Sequence, residues 1–196
     1  MEPSFIAQTE DWLVIDKPSG WLTIPGRMDE KNILAWLESQ PALGAVWTVH
    51  RIDRETSGIV LFARSEEAHQ RANQWFQERK VRKDYIAIIE RPLPLPVQRQ
   101  RQPMSDGKPA LTQLTRIERP PGAEVSDDRG FVQAWPATGR RHQIRYHLAA
   151  LGFPIWGDAR YGSKAQTARI ALHARSLELP SGEKFWSDPK PDFFAR

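Results

Sequence analysis

Strand-like apolar segments recur along the whole chain, and helical patterns separate them only at irregular intervals. Apolar runs predict an early strand at residues 12–16 and a buried strand at residues 59–63. A helix capped by Ser65 follows, and residues 83–89 predict the next strand. Because strands and helices do not alternate regularly, the pattern favours an α+β fold over a doubly wound sheet.

The rest of the chain adds shorter elements. The patterns predict extended segments at 21–24 and 47–49, a helix at 32–39, strands at 110–117 and 130–136, a helix at 141–151 and a strand at 170–174. Five prolines within residues 91–109 predict a long connection without regular structure. These elements are expected to form one domain spanning residues 1–196.

Composition limits the possible function classes. The 196 residues are 40% hydrophobic, which is enough for one sizeable core or for two small lobes of one domain. The chain has no cysteine, which excludes disulfides, thiolate catalysis, zinc–cysteine sites and iron–sulfur clusters. No apolar run is long enough to span a membrane, and we expect a cytoplasmic protein. The net charge is only +4, but the basic residues are clustered, which suits a polyanionic partner.

The segment His50 to Gly58 is the strongest indication of chemistry. It places the carboxylate of Asp53 between Arg51 and Arg54, directly before the predicted buried strand at 59–63. Neighbouring guanidinium groups keep a carboxylate ionised and also attract phosphates. An Asp between two arginines is more often a structural ion pair, so the interpretation depends on the rest of the chain.

Six further short segments lie at residues 17–20, 81–87, 107–112, 138–147, 157–162 and 172–174. Taken in order with His50 to Gly58, they resemble the RluA family of RNA pseudouridine synthases. His50 to Gly58 is similar to the family's HRLDxxTSG motif, with Ile52 in place of Leu. In chain order, the six further segments are similar to its KPxG, VxKxYxA, GKxAxT, TGRTHQIRVH, GDxxYG and LHA motifs. Arg141 and Tyr146 replace the usual Thr and Val of the TGRTHQIRVH motif. Single motifs of this length are weak evidence, whereas a full set in the family's order is specific.

The resemblance implies a fold, an activity and a partner. The implied fold is the pseudouridine synthase fold, a central mixed or antiparallel sheet with flanking helices and an RNA-binding active-site cleft. The implied reaction isomerises uridine in rRNA or tRNA to pseudouridine, with no cofactor and no metal. The predicted opening strand begins near residue 11, so we expect a stand-alone catalytic domain without an S4-type domain. We also expect a monomer without an obligate protein partner.

The resemblance also implies three catalytic residues. Asp53 matches the catalytic aspartate, and Arg145 matches the arginine that pairs with it and lowers its pKa. Tyr85 matches a tyrosine whose ring stacks on the target uracil and whose hydroxyl relays a proton. Without the resemblance, Arg145 would be interpreted as a surface helix arginine and Tyr85 as a core residue.

A second set of residues is predicted to bind the substrate. Lys83 shares a strand face with Tyr85, and Leu172 is predicted to pack on the uracil, with an ordinary core leucine as the alternative. The arginines predicted to contact phosphates or the space left by the flipped base are Arg51, Arg54, Arg140 and Arg141. Surface solvation is the alternative for each of them.

Other functions fit the sequence less well. A non-catalytic RNA-binding module would keep the basic clusters but would not need Asp53, Tyr85 and Arg145 together. A nucleoside hydrolase would require a carboxylate cluster, and none is visible. His142 and His147 are five residues apart, which places them on different helix faces and argues against a metal pair. We therefore interpret both histidines as structural or as hydrogen-bonded near RNA.

Overall fold

The computed structural model describes residues 1–28, 30–94, 96–120, 123 and 125–195. The protein chain forms two compact units. The first contains Met1–Arg82 and Ala174–Asp188, and the second contains Lys83–His173 and Pro189–Arg196. No helix in the described part of the chain is long and apolar enough to cross a membrane.

The described residues form ten strands and three α-helices. The strands are β1 Ser4–Gln8, β2 Trp12–Lys17, β3 Trp47–Thr48, β4 Ser57–Ala63, β5 Arg82–Ile89, β6 Val97–Gln100, β7 Thr112–Ile117, β8 Gly130–Pro136, β9 Leu172–Glu178 and β10 Lys184–Trp186. The helices are α1 Ile33–Glu38, α2 Glu66–Gln77 and α3 Gln143–Ala150, with short 3-10 turns at Ala159–Tyr161 and Pro191–Phe193.

In the first unit, a sheet packs against α2. The strands lie in the order β1-β2-β4-β9. In addition, β3 pairs with β4, and β10 pairs with β9. Each residue of β2 and β4 is buried, as expected for central strands. Ser65 caps α2 by accepting a hydrogen bond from the Ala68 amide, and Ala68 and Ala72 face the core.

In the second unit, an antiparallel sheet of order β5-β8-β7-β6 packs against α3. The core of this unit includes apolar residues of β5, β8 and α3 such as Ile88, Val132 and Leu148. Along β5, the half-exposed Lys83 and Tyr85 alternate with the buried Asp84 and Ile86. The predicted shared face of Lys83 and Tyr85 is therefore confirmed.

The α+β prediction is confirmed, but several local predictions are wrong. Residues 91–109 are not wholly irregular, because they contain β6, which pairs with β7. Residues 21–24 form no strand and contribute only an isolated bridge between Leu22 and Asn32. The strands β1 and β10 were not predicted. These are short or partly exposed edge strands, and cross-strand pairing determines them more than their own side-chain pattern does.

Candidate active site

Asp53 lies in the loop between β3 and β4, in the first unit, and is half-buried. The loop turns sharply, because the Thr56 amide donates a hydrogen bond to the Asp53 carbonyl over 3.1 Å. Immediately after the turn the chain enters the buried strand β4. Asp53 therefore lies in a turn directly before a buried strand, as the sequence predicted.

Hydrogen bonds from the turn at residues 17–20 hold the backbone of this loop in place. The Lys17 side chain is fully buried, and its Nζ donates to the carbonyls of Pro18, Trp21 and Arg54 over 3.0, 2.6 and 3.1 Å. The Gly20 amide also donates to the Arg54 carbonyl, over 2.9 Å. Because Arg54 follows Asp53 directly, these bonds fix the backbone on one side of the carboxylate.

Gly58, the last residue of the Asp53 segment, is required by a close approach between strands. Its φ is +107°, and a Cβ atom at this position would overlap the backbone of Ala174 in β9. Only glycine fits here without moving the backbone. The glycine thus allows β9 to pack tightly against the strand that carries the Asp53 loop.

Lys17→Met is expected to destabilise the protein by about 3 kcal/mol, because it removes charged hydrogen bonds and takes the buried donor away from the Pro18 and Trp21 carbonyls. Urea unfolding of the two proteins measures the difference. The matched control is Lys31→Met, which removes an exposed ammonium whose pair with Glu2 spans 3.5 Å. The control should change stability by less than about 0.5 kcal/mol. Equal effects of the two substitutions would show that the buried ammonium does not fasten the loop.

The two arginines beside Asp53 differ in their contacts. Arg51 is exposed and forms no ion pair with any described residue. Arg54 pairs with Glu30 over 2.7 Å, and its Nε donates to the Gly20 carbonyl over 3.2 Å. Arg51 is thus available for a ligand, whereas Arg54 would have to exchange protein contacts for a phosphate. Substrate binding by either residue stays a prediction.

Lys83 and Tyr85 lie on one face of β5 in the second unit. Burial lowers the pKa of the Lys83 ammonium below its ordinary range. Its Nζ lies beside Gly139, 3.9 Å from where a Cβ of that residue would be. Within the described part of the chain, no group pairs with this ammonium. Lys83 is therefore a partly buried amine available to an anionic group.

Arg145 is buried in the second unit and forms a two-point ion pair with Asp158. Its Nε and Nη2 donate to the two carboxylate oxygens over 2.7 and 2.9 Å, and the side chains are only 2% and 1% exposed. The Tyr161 ring covers the guanidinium, with its centroid 5.3 Å away. The alternative of a surface helix arginine is therefore wrong, because Asp158 neutralises the charge inside the protein.

The sequence matches a known protein family over most of its length. The sequence profile described as RNA pseudouridylate synthase matches residues 11–150, which is most of the chain. The chain belongs to the RNA pseudouridylate synthase family. It is therefore an enzyme that isomerises uridine in RNA to pseudouridine, and the predicted family, fold and reaction are confirmed.

The similarity to individual family members extends over nearly the full chain. The dual-specificity RNA pseudouridine synthase RluA of Haemophilus influenzae is 34% identical, covering 98% of this chain and 96% of that protein. The tRNA pseudouridine synthase C of Salmonella typhi is also 34% identical, over 89% of this chain and 79% of that protein. Among solved structures, human RNA Pseudouridylate Synthase Domain Containing 1 is 26% identical with a TM-score of 0.77, covering 97% of this chain and 84% of that one.

The predicted catalytic residues of this pseudouridine synthase are divided between the two units. Asp53 belongs to the first unit, and Tyr85 and Arg145 belong to the second. The pairing of Arg145 with Asp53 therefore stays a prediction. Leu172 is buried in the core of the second unit, which agrees with the core alternative. Its predicted contact with the uracil is untested.

Sequence reasoning missed Asp158 and Tyr161 as site residues. Both belong to the segment at 157–162 that matches the GDxxYG motif, so the signal was present but no role was assigned. Tyr161 also contacts His142, whose Nδ1 lies 3.1 Å from the phenol oxygen. His147 lies between the Thr112 hydroxyl and the Gln102 carbonyl, and burial lowers its pKa. Both histidines therefore have structural hydrogen bonds, as interpreted from their spacing.

Proposed function

We propose that this enzyme modifies particular uridines in short stem–loops of tRNA or rRNA. Two observations support this target class. The similar proteins include one named for tRNA and one named for dual specificity. The arginines predicted to contact RNA, including Arg51, Arg140 and Arg141, are exposed in short loop segments rather than in a long basic tail. Such a surface suits a local RNA shape in which the target base can be flipped out.

Asp53 is proposed to act directly on the target uridine. It serves as nucleophile, or as electrostatic and acid–base partner of the detached sugar, while the bond from N1 of the base to the sugar carbon breaks and a bond from C5 forms. The observation that carries this role is the fastening of its loop by Lys17 and Gly20. A reacting carboxylate must be held in position before the substrate arrives.

Tyr85 and Arg145 are proposed to complete the site. The half-exposed Tyr85 ring offers a stacking surface for the uracil, and its hydroxyl can relay the proton that leaves C5. Arg145 is proposed to stabilise the charge of Asp53 in a partly dry cleft. Its bond to Asp158 holds the guanidinium in a single orientation, as a two-point contact requires.

The target class is tested by mapping pseudouridine. Purified protein is incubated with unmodified tRNA and rRNA transcripts, and modified positions are located by carbodiimide labelling and reverse transcription. We expect one or a few sites within hairpin loops. Modification of long unpaired RNA with equal efficiency would contradict stem–loop recognition, and the Asp53→Asn protein supplies the inactive control.

Activity is expected to be independent of metal ions. Among the described residues, no three His, Asp or Glu side chains are grouped as a metal site. Pseudouridine formation on a pre-folded short RNA should therefore continue at an unchanged rate in excess EDTA. A loss of activity that zinc restores, but magnesium does not, would contradict this prediction.

We also propose a monomeric, cytoplasmic enzyme that acts on RNA without an obligate protein partner. The clustered positive charge suits RNA as the partner, and the chain has no cysteine that would need an oxidising compartment. Light scattering of the purified protein measures the mass in solution, and cell fractionation locates the protein. A dimer, or activity that appears only with a second protein, would contradict the proposal.

A further inference from the structure

A basic pocket lies in the second unit, at the N-terminal end of α3. It has a volume of about 380 Å³ and is lined by the turn at residues 104–108, the segment 139–142 and the pair Arg160 and Tyr161. Arg140 and Arg141 belong to this lining, whereas no established role involves Lys108, Arg160 or the turn. The cavity is large enough for a phosphate group with part of a neighbouring sugar.

The charges in the basic pocket are unbalanced. Four cations, from Lys108, Arg140, Arg141 and Arg160, line it together with the single carboxylate of Asp106. Asp106 is already neutralised by Lys108, whose Nζ lies 2.7 Å away and lowers the pKa of that carboxyl. The three arginines form no ion pair with any described residue. A pocket with three uncompensated guanidinium groups attracts an anion.

Buried hydrogen bonds hold the two walls of the basic pocket together. The Gln143 side chain uses its whole hydrogen-bonding capacity. Its Oε1 accepts from the Arg140 amide and the Thr138 hydroxyl over 3.1 and 2.6 Å, and its Nε2 donates to Leu111 and Thr112, each over 2.9 Å. The Arg140 Nε also donates to the Pro109 carbonyl over 3.3 Å. The wall that carries Arg140 and Arg141 is thus joined to the segment that follows the turn.

The turn itself is a defined structure. The Met104 amide donates to the Lys108 carbonyl over 3.0 Å, and the Gly107 amide donates back to the Met104 carbonyl over 2.8 Å. Gly107 has a φ of +79°, which favours glycine. On its N-terminal side, the Gln102 carbonyl accepts a hydrogen bond from the buried His147 over 2.9 Å. Lys108, Arg140 and Arg141 are therefore presented by two connected segments, and Arg160 is contributed by the 3-10 turn Ala159–Tyr161.

We propose that the basic pocket binds one phosphodiester group of the substrate RNA, with Arg141 and Arg160 as its principal ligands. The inference rests on the proposed action on structured RNA and adds a subsite to it. Guanidinium groups match the geometry of a phosphate by donating two parallel hydrogen bonds. A contact at a fixed distance along the RNA backbone sets the register of the strand, so that the correct nucleotide reaches the reacting residues.

The first test is the salt dependence of RNA binding. The double variant Arg141→Gln/Arg160→Gln is compared with wild type using unfractionated tRNA at a series of KCl concentrations. Loss of the contact to this one phosphate should lower the slope of log Kd against log salt by about 0.7. The control is Arg79→Gln, which removes an exposed arginine at the end of α2 that forms no ion pair among the described residues.

The control should leave the slope unchanged within error. An unchanged slope in the double variant would overturn the proposal. An equal change in Arg79→Gln would also overturn it, because the effect would then be the diffuse charge of the surface. Circular dichroism and thermal unfolding of each variant establish that it is folded before its slope is compared.

A second test distinguishes an RNA phosphodiester from a free anion without using activity. The Nε–Hε signals of Arg141 and Arg160 are followed by NMR during titration with the oligonucleotide r(U)5 or with inorganic phosphate at matched ionic strength. We expect r(U)5 to shift both signals at concentrations at least tenfold lower. Equal or tighter binding of inorganic phosphate would identify a free-anion site and overturn the proposal.

The two tests separate this subsite from the enzyme's reaction. Formation of pseudouridine by wild type, combined with an unchanged slope and unshifted arginine signals, would refute the subsite and leave the proposed function intact. Shifted arginine signals in a protein that modifies no tRNA or rRNA would refute the proposed target class and leave the pocket as an RNA-binding site.

Discussion

Asp53→Asn is expected to reduce the single-turnover rate of pseudouridine formation to less than about a hundredth of wild type, while RNA affinity stays within a few-fold. Asparagine keeps the volume of the side chain but removes the charge and the nucleophilic oxygen. The hydrogen bonds that fasten the loop use the carbonyl of Asp53 itself and that of Arg54. The substitution therefore leaves those contacts in place and tests the carboxylate alone.

The control for Asp53→Asn is Asp11→Asn. Asp11 is an exposed carboxylate of the same unit that pairs with Arg71 at the surface, and pairs of this kind contribute little. Its rate should stay within about twofold of wild type, as expected for a surface substitution. A residual rate in Asp53→Asn above about a hundredth of wild type would contradict a direct chemical role for this residue.

Arg145→Met is expected to impair both stability and catalysis. Asp158 is 1% exposed, and loss of its two-point partner leaves a buried charge uncompensated. Breaking a buried pair in this way costs about 3–5 kcal/mol, which urea unfolding measures. The rate at saturating RNA should also fall, because Asp53 would lose the cation that is proposed to keep it ionised.

A double variant separates these two effects. Arg145→Met/Asp158→Leu removes both charges and roughly conserves the volume, and apolar replacement of a whole buried ion pair is often neutral in stability. We expect the double variant to recover most of the free energy of unfolding but not the rate. Recovery of both would show that Arg145 only maintains the fold. Arg145→Lys adds a further comparison, since lysine keeps the charge but cannot form the two-point contact.

Much of the fold and of the candidate site could be predicted from local pattern. The continuous apolar run at residues 59–63 identified β4, and Ser65 with two glutamates identified the start of α2. The order of short motifs identified the family, which the profile match confirms. The motif around Asp53 was informative because a carboxylate, a turn and a buried strand are contiguous in sequence. Local chemistry and local geometry therefore coincide at this position.

Other features depend on partners that are distant along the chain. β6 and β10 are four and three residues long and are defined by pairing with β7 and β9. The carbonyl of Arg54 contacts a lysine 37 positions earlier, and this contact explains why a buried Lys17 is tolerated. Neither feature has a periodic pattern of its own, because each is stabilised by a contact rather than by the burial of a repeated face.

The sequence by itself determined the family, the main strands and helices, and the identity of Asp53, Tyr85 and Arg145 as the residues to examine. Only the tertiary structure decided the environment of Arg145. The helical pattern placed it on the face opposite Ile144 and suggested solvent, whereas Asp158, 13 residues later, neutralises it in the interior. The same holds for the basic pocket, whose arginines come from separate segments. The residue type at one position determines the charge of a side chain. The dielectric environment and the ion-pair partners of that charge depend on residues from other parts of the chain.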